Sequence, residues 1–336
     1  MTIVIDPPAQ PRPSAVTPRD IARAGATRKA RDSRLKTWVG IVCTLAVILP
    51  VAFARVLPLP DPDATNLAQR RLPPLTPGHL FGTDQLGRDL LARILYGGQV
   101  SLTVGILAVV VSGLIGLILG ALAGYIGGWA DTVVSRLLEA QMSLPLLMML
   151  LLVVALFGPS IPVITFVIAI AQWPEIARLT RALVLVEREK PYIAASRVLG
   201  LGRTAVLLRH IVPNIIKQTS LVVLLLLAQA VLLESALSYL GAGPQRPFAT
   251  WGRIIADGQD YITTSWWLVT LPGLVIVLLV VGVNLLGDGL RDRPASSHAR
   301  GRRVRSRRPS PTRLTPTTSR TMKRPGSVTS HHAVVM

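Results

Sequence analysis

Long apolar runs alternate with shorter polar segments along the whole chain. The runs cover residues 38–57, 99–124, 133–157, 163–183, 218–240 and 267–289. Each has roughly 20 residues or more, which is enough for a helix to cross a hydrocarbon core of about 30 Å. The first run lies far from the N-terminus and ends without a small-residue cleavage site, so it predicts a retained span and not a signal peptide. The pattern therefore predicts an all-α membrane protein with six transmembrane helices.

The charge of the polar segments predicts how these helices are oriented. The chain carries 36 Lys and Arg against 17 Asp and Glu, a net charge of +19. Residues 1–37, 175–217 and 291–336 contribute +5, +5 and +11, whereas 58–98 and 241–266 are neutral. Basic segments are retained on the cytoplasmic side of a membrane, so both termini are expected in the cytoplasm. Because topology explains the basic charge, no nucleic-acid partner is expected.

Composition divides the chain into five parts. Residues 1–37 are rich in Pro, Ala and Arg and are expected to form a disordered basic cytoplasmic arm. Residues 38–57 form the first transmembrane helix, and 58–98 form an extracytoplasmic loop. Residues 99–290 form the membrane core, with a cytoplasmic loop at 187–210. Residues 291–336 are expected to be a disordered basic cytoplasmic tail, with contact to lipid headgroups as an alternative role.

Catalytic motifs are absent from the sequence. It contains no Walker A sequence, no H-E-x-x-H, no G-x-S-x-G and no C-x-x-C. The chain is therefore not predicted to be an enzyme, and no cofactor or metal of its own is expected. Glu139, Glu234 and Asp288 lie within the predicted spans, where charge is costly and often functional. They lie near helix ends, so a structural carboxylate and one that lines a pathway remain equally open.

Three glycines in the second run share one helix face. Gly116, Gly120 and Gly124 follow one another at four-residue spacing. Such a row lets two helix backbones approach closely in lipid. It predicts helix packing rather than a ligand site.

The segment from Glu187 to Asn214 interrupts the apolar runs with a charged, apparently helical stretch. Small residues would let a short helix enter a cleft on a partner, whereas apolar and basic residues would supply contacts. On physical grounds alone, docking to a protein and resting on anionic lipid are equally open. The candidate docking residues are Tyr192, Ile193, Ala195, Ser196, Arg197, Gly200, Leu201 and Arg203.

Several sequence blocks occur together in a characteristic order. They include FGTDQLGRD at 81–89, AAS followed by Gly200 in the central segment, ESALSYLG at 234–241, and NLLGDGLRD at 284–292. Together the blocks resemble the dipeptide, oligopeptide and nickel permeases of ABC importers, of the C-subunit type. The motif positions are Gly82, Thr83, Asp84, Gly87, Arg88, Asp89, Glu234, Ser235, Asn284, Gly287 and Asp288.

This resemblance implies a type I ABC importer transmembrane domain in a bacterial-type plasma membrane. It implies a second homologous permease, two ATPase subunits that carry ATP and Mg, and an extracytoplasmic substrate-binding protein, with membrane lipid around them. It also implies docking of the ATPase at 187–210 and peptide as the substrate class. A nickel-chelate permease and a non-transporting membrane scaffold are the alternatives. The chain departs from the family in having Ala194 where the coupling loop carries a glutamate, and in its long basic tail.

Overall fold

The computed structural model describes residues 18–245 and 248–291, with side chains from Arg34 onward. Regular structure in these ranges is helical apart from two isolated bridges in the segment before α2. The helices are α1 (Pro18–Ala52), α2 (Leu90–Ile126), α3 (Gly128–Met142), α4 (Leu146–Phe157), α5 (Ile161–Arg188), α6 (Pro191–Val198), α7 (Arg203–Val206), α8 (Val212–Tyr239), α9 (Trp251–Gly258) and α10 (Trp267–Arg291). A π-helical turn, Leu207–Ile211, joins α7 to α8.

Helix α1 begins earlier and ends earlier than the apolar run predicts. Residues 18–37, which are expected to be disordered, belong to this helix, and residues 53–57 lie beyond its end at Ala52. The expectation of disorder there is wrong because it relied on the missing apolar stripe. Ala, Arg and Lys favour helix without one, and Pro at a first turn is well tolerated. The expectations for residues 1–17 and 292–336 lie outside the described residues.

The prediction of an all-α membrane protein is confirmed, with one span broken. Five helices are long and apolar enough to cross a membrane, and the α3–α4 pair makes a sixth if its two parts count as one span. These two helices meet at an angle of 90°. The break falls at Pro145, which precedes α4 and cannot continue α3 without losing a helical hydrogen bond. The run at 133–157 is therefore not one straight helix.

The glycine row on α2 packs against α5, as its spacing predicts. A Cβ on Gly116 would lie 2.6 Å from the side chain of Ile176. One on Gly124 would lie 2.9 Å from both the Arg181 carbonyl oxygen and Val184. Because larger residues would push the two backbones apart, the row fixes α5 closely beside α2. The charged C-terminal end of α5 therefore lies beside the C-terminal end of α2.

Candidate functional site

The central segment folds into short helices that double back between α5 and α8. Helix α6 starts with Pro191 in its first turn, where the missing N–H costs no hydrogen bond. It stops at Gly200, whose φ of +84° is a left-handed conformation that favours glycine. The N–H of Leu201 donates to the Ser196 carbonyl at 3.2 Å, and that of Gly200 donates to Arg197 at 3.0 Å. These two bonds form a Schellman cap.

One side of this segment packs against the chain itself. Ile193 is 0% exposed and clusters with Val184, Val206 and Ile211, and Leu201 packs on the edge of that cluster. The apolar contacts of Ile193 are therefore with the chain itself, whereas the sequence predicts that it contacts a partner. The side chain of Ser196 is also turned inward, where its hydroxyl donates to the Tyr192 carbonyl at 2.9 Å.

A polar clamp joins the end of α5 to the start of α8. The carboxylate of Glu187 accepts hydrogen bonds from Lys190, at 2.6 Å, and from the hydroxyl of Tyr192. The side-chain amide of Asn214 donates to the same hydroxyl at 2.7 Å. Burial and then the Glu187 hydrogen bond raise the pKa of Tyr192, so the phenol stays protonated and keeps donating at neutral pH. The clamp thus connects α6 to both long helices.

The other side of the segment is exposed and apolar. We call it the coupling face: Ala194, Ala195, Val198, Leu199 and Gly200. Val198 and Leu199 are 88% and 79% exposed, which is unusual for large apolar side chains outside lipid. The first two residues are small, so the face also lacks bulk that would keep another surface away.

Basic residues surround the coupling face. Arg197 and Arg203 are exposed, and the guanidinium of Arg197 lies over the ring of Tyr125 of α2, 5.8 Å from the ring centroid. With Arg188 they line a cavity of about 840 Å³ beside the end of α2. The predicted docking residues thus divide into an exposed set and an inward set, Ile193, Ser196 and Leu201.

At the opposite end of α2, a compact cluster of charges holds the segment that precedes the helix. The Asp84 carboxylate accepts from Arg88 Nε at 2.7 Å and from Arg93 Nη1 at 2.5 Å. Asp257 of α9 lies 3.6 Å from Arg93 and 3.3 Å from Arg253. We call these five residues the outer cluster. The ion pair of Asp257 with Arg93 ties α9 to α2.

The neighbouring motif positions build the same segment. Thr83 Oγ1 accepts the N–H of Leu72 at 2.8 Å, and Asp89 caps α2 by accepting the N–H of Ala92 at 2.8 Å. Gly82 and Gly87 have positive φ and leave no room for a Cβ against nearby backbone. In the described ranges these side chains contact the chain itself, and they bring no group of three metal-ligating side chains together.

Glu234 and Ser235 are buried within the helix bundle near the C-terminal end of α8. Glu234 is 0% exposed, and its carboxylate accepts the hydroxyl of Ser238 at 2.6 Å. The hydroxyl of Ser235 also donates to it, at 3.5 Å. This environment favours the structural alternative for Glu234 over a residue that lines an open pathway. The backbone of Ser235 leaves no room for a Cβ on Gly252, which brings α9 close to α8.

The motif positions of α10 lie on two faces of the helix, one packed against α8 and one exposed. Gly287 packs under Leu225 of α8, where a Cβ would be too close. Asn284 and Asp288, one turn apart, are exposed. Glu139 is exposed as well and pairs with Arg136 at 2.9 Å, so it behaves as a surface carboxylate.

The structure places two further charged side chains within a candidate spanning helix. Glu175 and Arg178, which the charge count assigns to the polar segment 175–217, lie in the middle of α5. Both are exposed beside the α3–α4 break. The signal that could have found them is present in the sequence, because both fall within the apolar run at 163–183.

Comparison with known proteins agrees with this arrangement. Residues 116–294 match the family model of the binding-protein-dependent transport system inner membrane component. The chain belongs to this family. It is 36% identical over 286 residues to the probable D,D-dipeptide transport system permease protein DdpC of Escherichia coli, covering 83% of this chain and 94% of that protein.

Two further relatives extend the comparison. The chain is 37% identical over 268 residues to the oligopeptide transport system permease protein OppC of Haemophilus influenzae, covering 79% of this chain and 86% of that one. It is 41% identical over 213 residues to the di/tripeptide transport system permease protein DppC of Pseudomonas aeruginosa, covering 63% and 70%. The permease is thus an inner-membrane, multi-pass transport component related to ABC peptide transporters.

Proposed function

We propose that this permease forms half of the transmembrane pathway of an ATP-driven importer for di- or oligopeptides. The observation that carries the proposal is the coupling face, an exposed apolar surface on a short helix that is clamped to two long ones. The relatives are permeases of peptide, dipeptide and oligopeptide systems, which supports peptide as the substrate class. A second homologous permease supplies the other half of the pathway.

ATP hydrolysis belongs to two partner subunits, and the coupling face is where one of them docks. The apolar residues of the face enter a groove on the ATPase, and Arg197 and Arg203 add contacts that weaken with salt. The family's glutamate is replaced by Ala194, so this chain offers an apolar contact there. A substrate-binding protein delivers the peptide to the opposite, extracytoplasmic end, where the outer cluster lies.

Movement of the docked ATPase passes to the spans through the polar clamp. Glu187 belongs to the end of α5, and Asn214 belongs to the first turn of α8. A displacement of α6 therefore displaces both helices, which rocks this half of the pathway against the other. Such coupling requires the ATPase contacts to differ between two states of the transporter. In this orientation both termini lie in the cytoplasm.

Co-purification tests the proposal directly. The full chain, extracted from its own membrane in a mild detergent, is expected to retain two ATPase subunits and a second permease. Raised salt should weaken the ATPase contact, because part of it is ionic. Reconstituted with its binding protein, the complex should import labelled dialanine in the presence of ATP.

Three outcomes would contradict the proposal. Recovery of the bare chain at normal membrane level would favour a scaffold that binds lipid. Transport without ATP would indicate a secondary transporter. Import of nickel chelates in place of peptides would leave the docking mechanism intact and refute the substrate class.

A further inference from the structure

The free face of α5 lines a cavity beside the α3–α4 break. The cavity has a volume of about 710 Å³, and Gln141, Met142, Pro174, Glu175 and Arg178 are among the residues that line it. This volume is in the range of sites that hold small ligands, roughly 300–1,000 Å³. The opposite faces of α5 are already occupied, because α2 and α8 pack against them. The cavity therefore opens away from the packed core of this chain.

Pro174 of α5 lies beside the α3–α4 break, and one side chain connects the two. Pro174 has no N–H, so the carbonyl of Ile170 loses its usual helical partner. The side-chain amide of Gln141 donates to that carbonyl at 2.5 Å and accepts from the indole N–H of Trp173 at 2.8 Å. Gln141 stands at the end of α3, directly before the break. The cavity thus has a wall that is held in a defined geometry.

The charges on this wall lack a counter-ion in the part of the chain that the structure describes. Glu175 and Arg178 lie one turn apart on the exposed side of α5, and neither forms an ion pair within 4.0 Å among those residues. The guanidinium of Arg178 contacts the thioether of Met142. Facing these two charges to lipid would cost several kcal/mol each, so such residues face a bundle interior or water.

The break itself independently requires a polar neighbour. Ser143, Leu144 and Pro145 are exposed, and the backbone between α3 and α4 is not helical. Non-helical backbone at membrane depth is tolerated only within protein or beside a water-filled cavity. The charges and the break therefore point to the same conclusion from different physical grounds. This side of the chain faces water or a polar ligand.

We propose that this cavity is the part of the translocation pathway that the chain contributes, where Glu175 binds the α-ammonium group and Arg178 the α-carboxylate of the passing peptide. The assignment rests on the peptide import proposed above. An extended dipeptide spans about 7 Å, which two long side chains one helical turn apart can bracket. Because the peptide carries a positive charge at one end and a negative charge at the other, its binding site needs both signs of charge on one wall.

Cysteine accessibility tests whether the cavity is aqueous. The chain has one cysteine, Cys43, so Cys43→Ser provides a clean background. Glu175→Cys and Arg178→Cys should react with a membrane-impermeant thiol reagent about tenfold faster or more than Leu114→Cys, because thiols in apolar surroundings stay protonated. Leu114 is a matched control: it is exposed on α2 two residues from Gly116, which touches Ile176 of α5. Equal, slow labelling at all three positions would overturn the proposal.

Uptake of labelled dialanine tests the ligand assignment. Glu175→Gln and Arg178→Gln should each reduce uptake about tenfold or more, since each loses a charge-assisted hydrogen bond to the peptide. Membrane level and ATPase co-purification should be unchanged. Glu139→Gln and Arg136→Gln are the controls, because this exposed pair on α3 has similar spacing and does not line the cavity.

Two results would contradict the ligand assignment. Unchanged uptake in both α5 variants would show that the charges do not bind the peptide. Full uptake in the double variant Glu175→Gln with Arg178→Gln, when each single variant is impaired, would show that the two charges serve only each other. If the wild type imports no peptide, the proposed function fails together with this assignment, whereas the thiol labelling still decides whether the cavity is aqueous.

Discussion

The two ends of this permease use their charged and apolar residues in opposite ways. In the outer cluster, Asp84 is buried and accepts hydrogen bonds from two arginines, so its carboxylate is paired within the chain. On the coupling face, Val198 and Leu199 are 88% and 79% exposed. A buried carboxylate is thus paired within the chain at one end, whereas the other end presents an exposed apolar surface.

This difference shows that motif residues of one family do not all have the same role. Gly82, Asp84 and Gly87 fix the path of the segment before α2, and their contacts are internal. The residues around Gly200 shape a surface instead. Substitutions at the outer end should therefore lower stability, and substitutions on the coupling face should lower transport while leaving the folded chain intact.

The largest expected effect is at the outer cluster, with Asp84→Ala. Removing this carboxylate leaves the buried guanidinium groups of Arg88 and Arg93 without their main partner. Breaking a buried ion pair from one side costs about 3–5 kcal/mol. We expect a sharp loss of chain from the membrane and a lower melting temperature in detergent. Asp61→Asn, on an exposed carboxylate of the same segment, is the control. Normal melting of the Asp84 variant would remove the contrast between the two ends.

The next effect concerns transport, with Gly200→Trp. A Cβ at Gly200 meets no atom within 4 Å, so the indole projects from the coupling face and obstructs docking. We expect ATP-driven uptake to fall at least about tenfold, equivalent to roughly 1.4 kcal/mol of lost docking energy. The membrane level should stay close to that of the wild type. Wild-type uptake at normal level would refute the docking assignment.

A matched control exists at the other end of the molecule. Gly241 ends α8 with the same φ of +84°, the same Schellman pattern of hydrogen bonds and open space around its Cβ position. Gly241→Trp therefore reproduces the backbone strain without touching the coupling face, and it should leave ATPase co-purification unchanged. Gly200→Ala adds the strain at the coupling face without the bulk. If it lowers uptake as much as Gly200→Trp does, strain and not obstruction is the cause.

The apolar runs of the sequence are sufficient to predict the helical class and the approximate position of every span. They cannot predict the 90° break at Pro145, because a proline within an apolar run is compatible with a kinked helix as well as with two helices. They also cannot assign the sides of α6, since Ile193 and Leu199 are equally apolar in sequence. Only tertiary packing decides that Ile193 is buried and Leu199 is exposed.

An intermediate effect is expected for Glu234→Ala. This variant tests whether the carboxylate of Glu234 stabilises the fold, as that of Asp84 does. The substitution leaves the buried hydroxyl of Ser238 without its acceptor. Unpaired buried polar groups cost about 1–3 kcal/mol. The melting temperature should fall by less than in Asp84→Ala, and uptake per folded chain should be unchanged. A stable chain with abolished uptake would instead assign Glu234 to the pathway.

The smallest effect is expected for Tyr192→Phe, at the polar clamp that connects the coupling face to the spans. The variant keeps the ring and removes the hydroxyl that bridges Glu187 and Asn214, while Lys190 still pairs with Glu187. Because the site is partly exposed, the loss of stability should be about 1 kcal/mol or less. ATPase co-purification should persist while uptake falls modestly, since α6 stays docked but is held less firmly to α8. A comparable loss of docking and uptake would mean that Tyr192 contacts the ATPase itself, which would place the clamp within the coupling face.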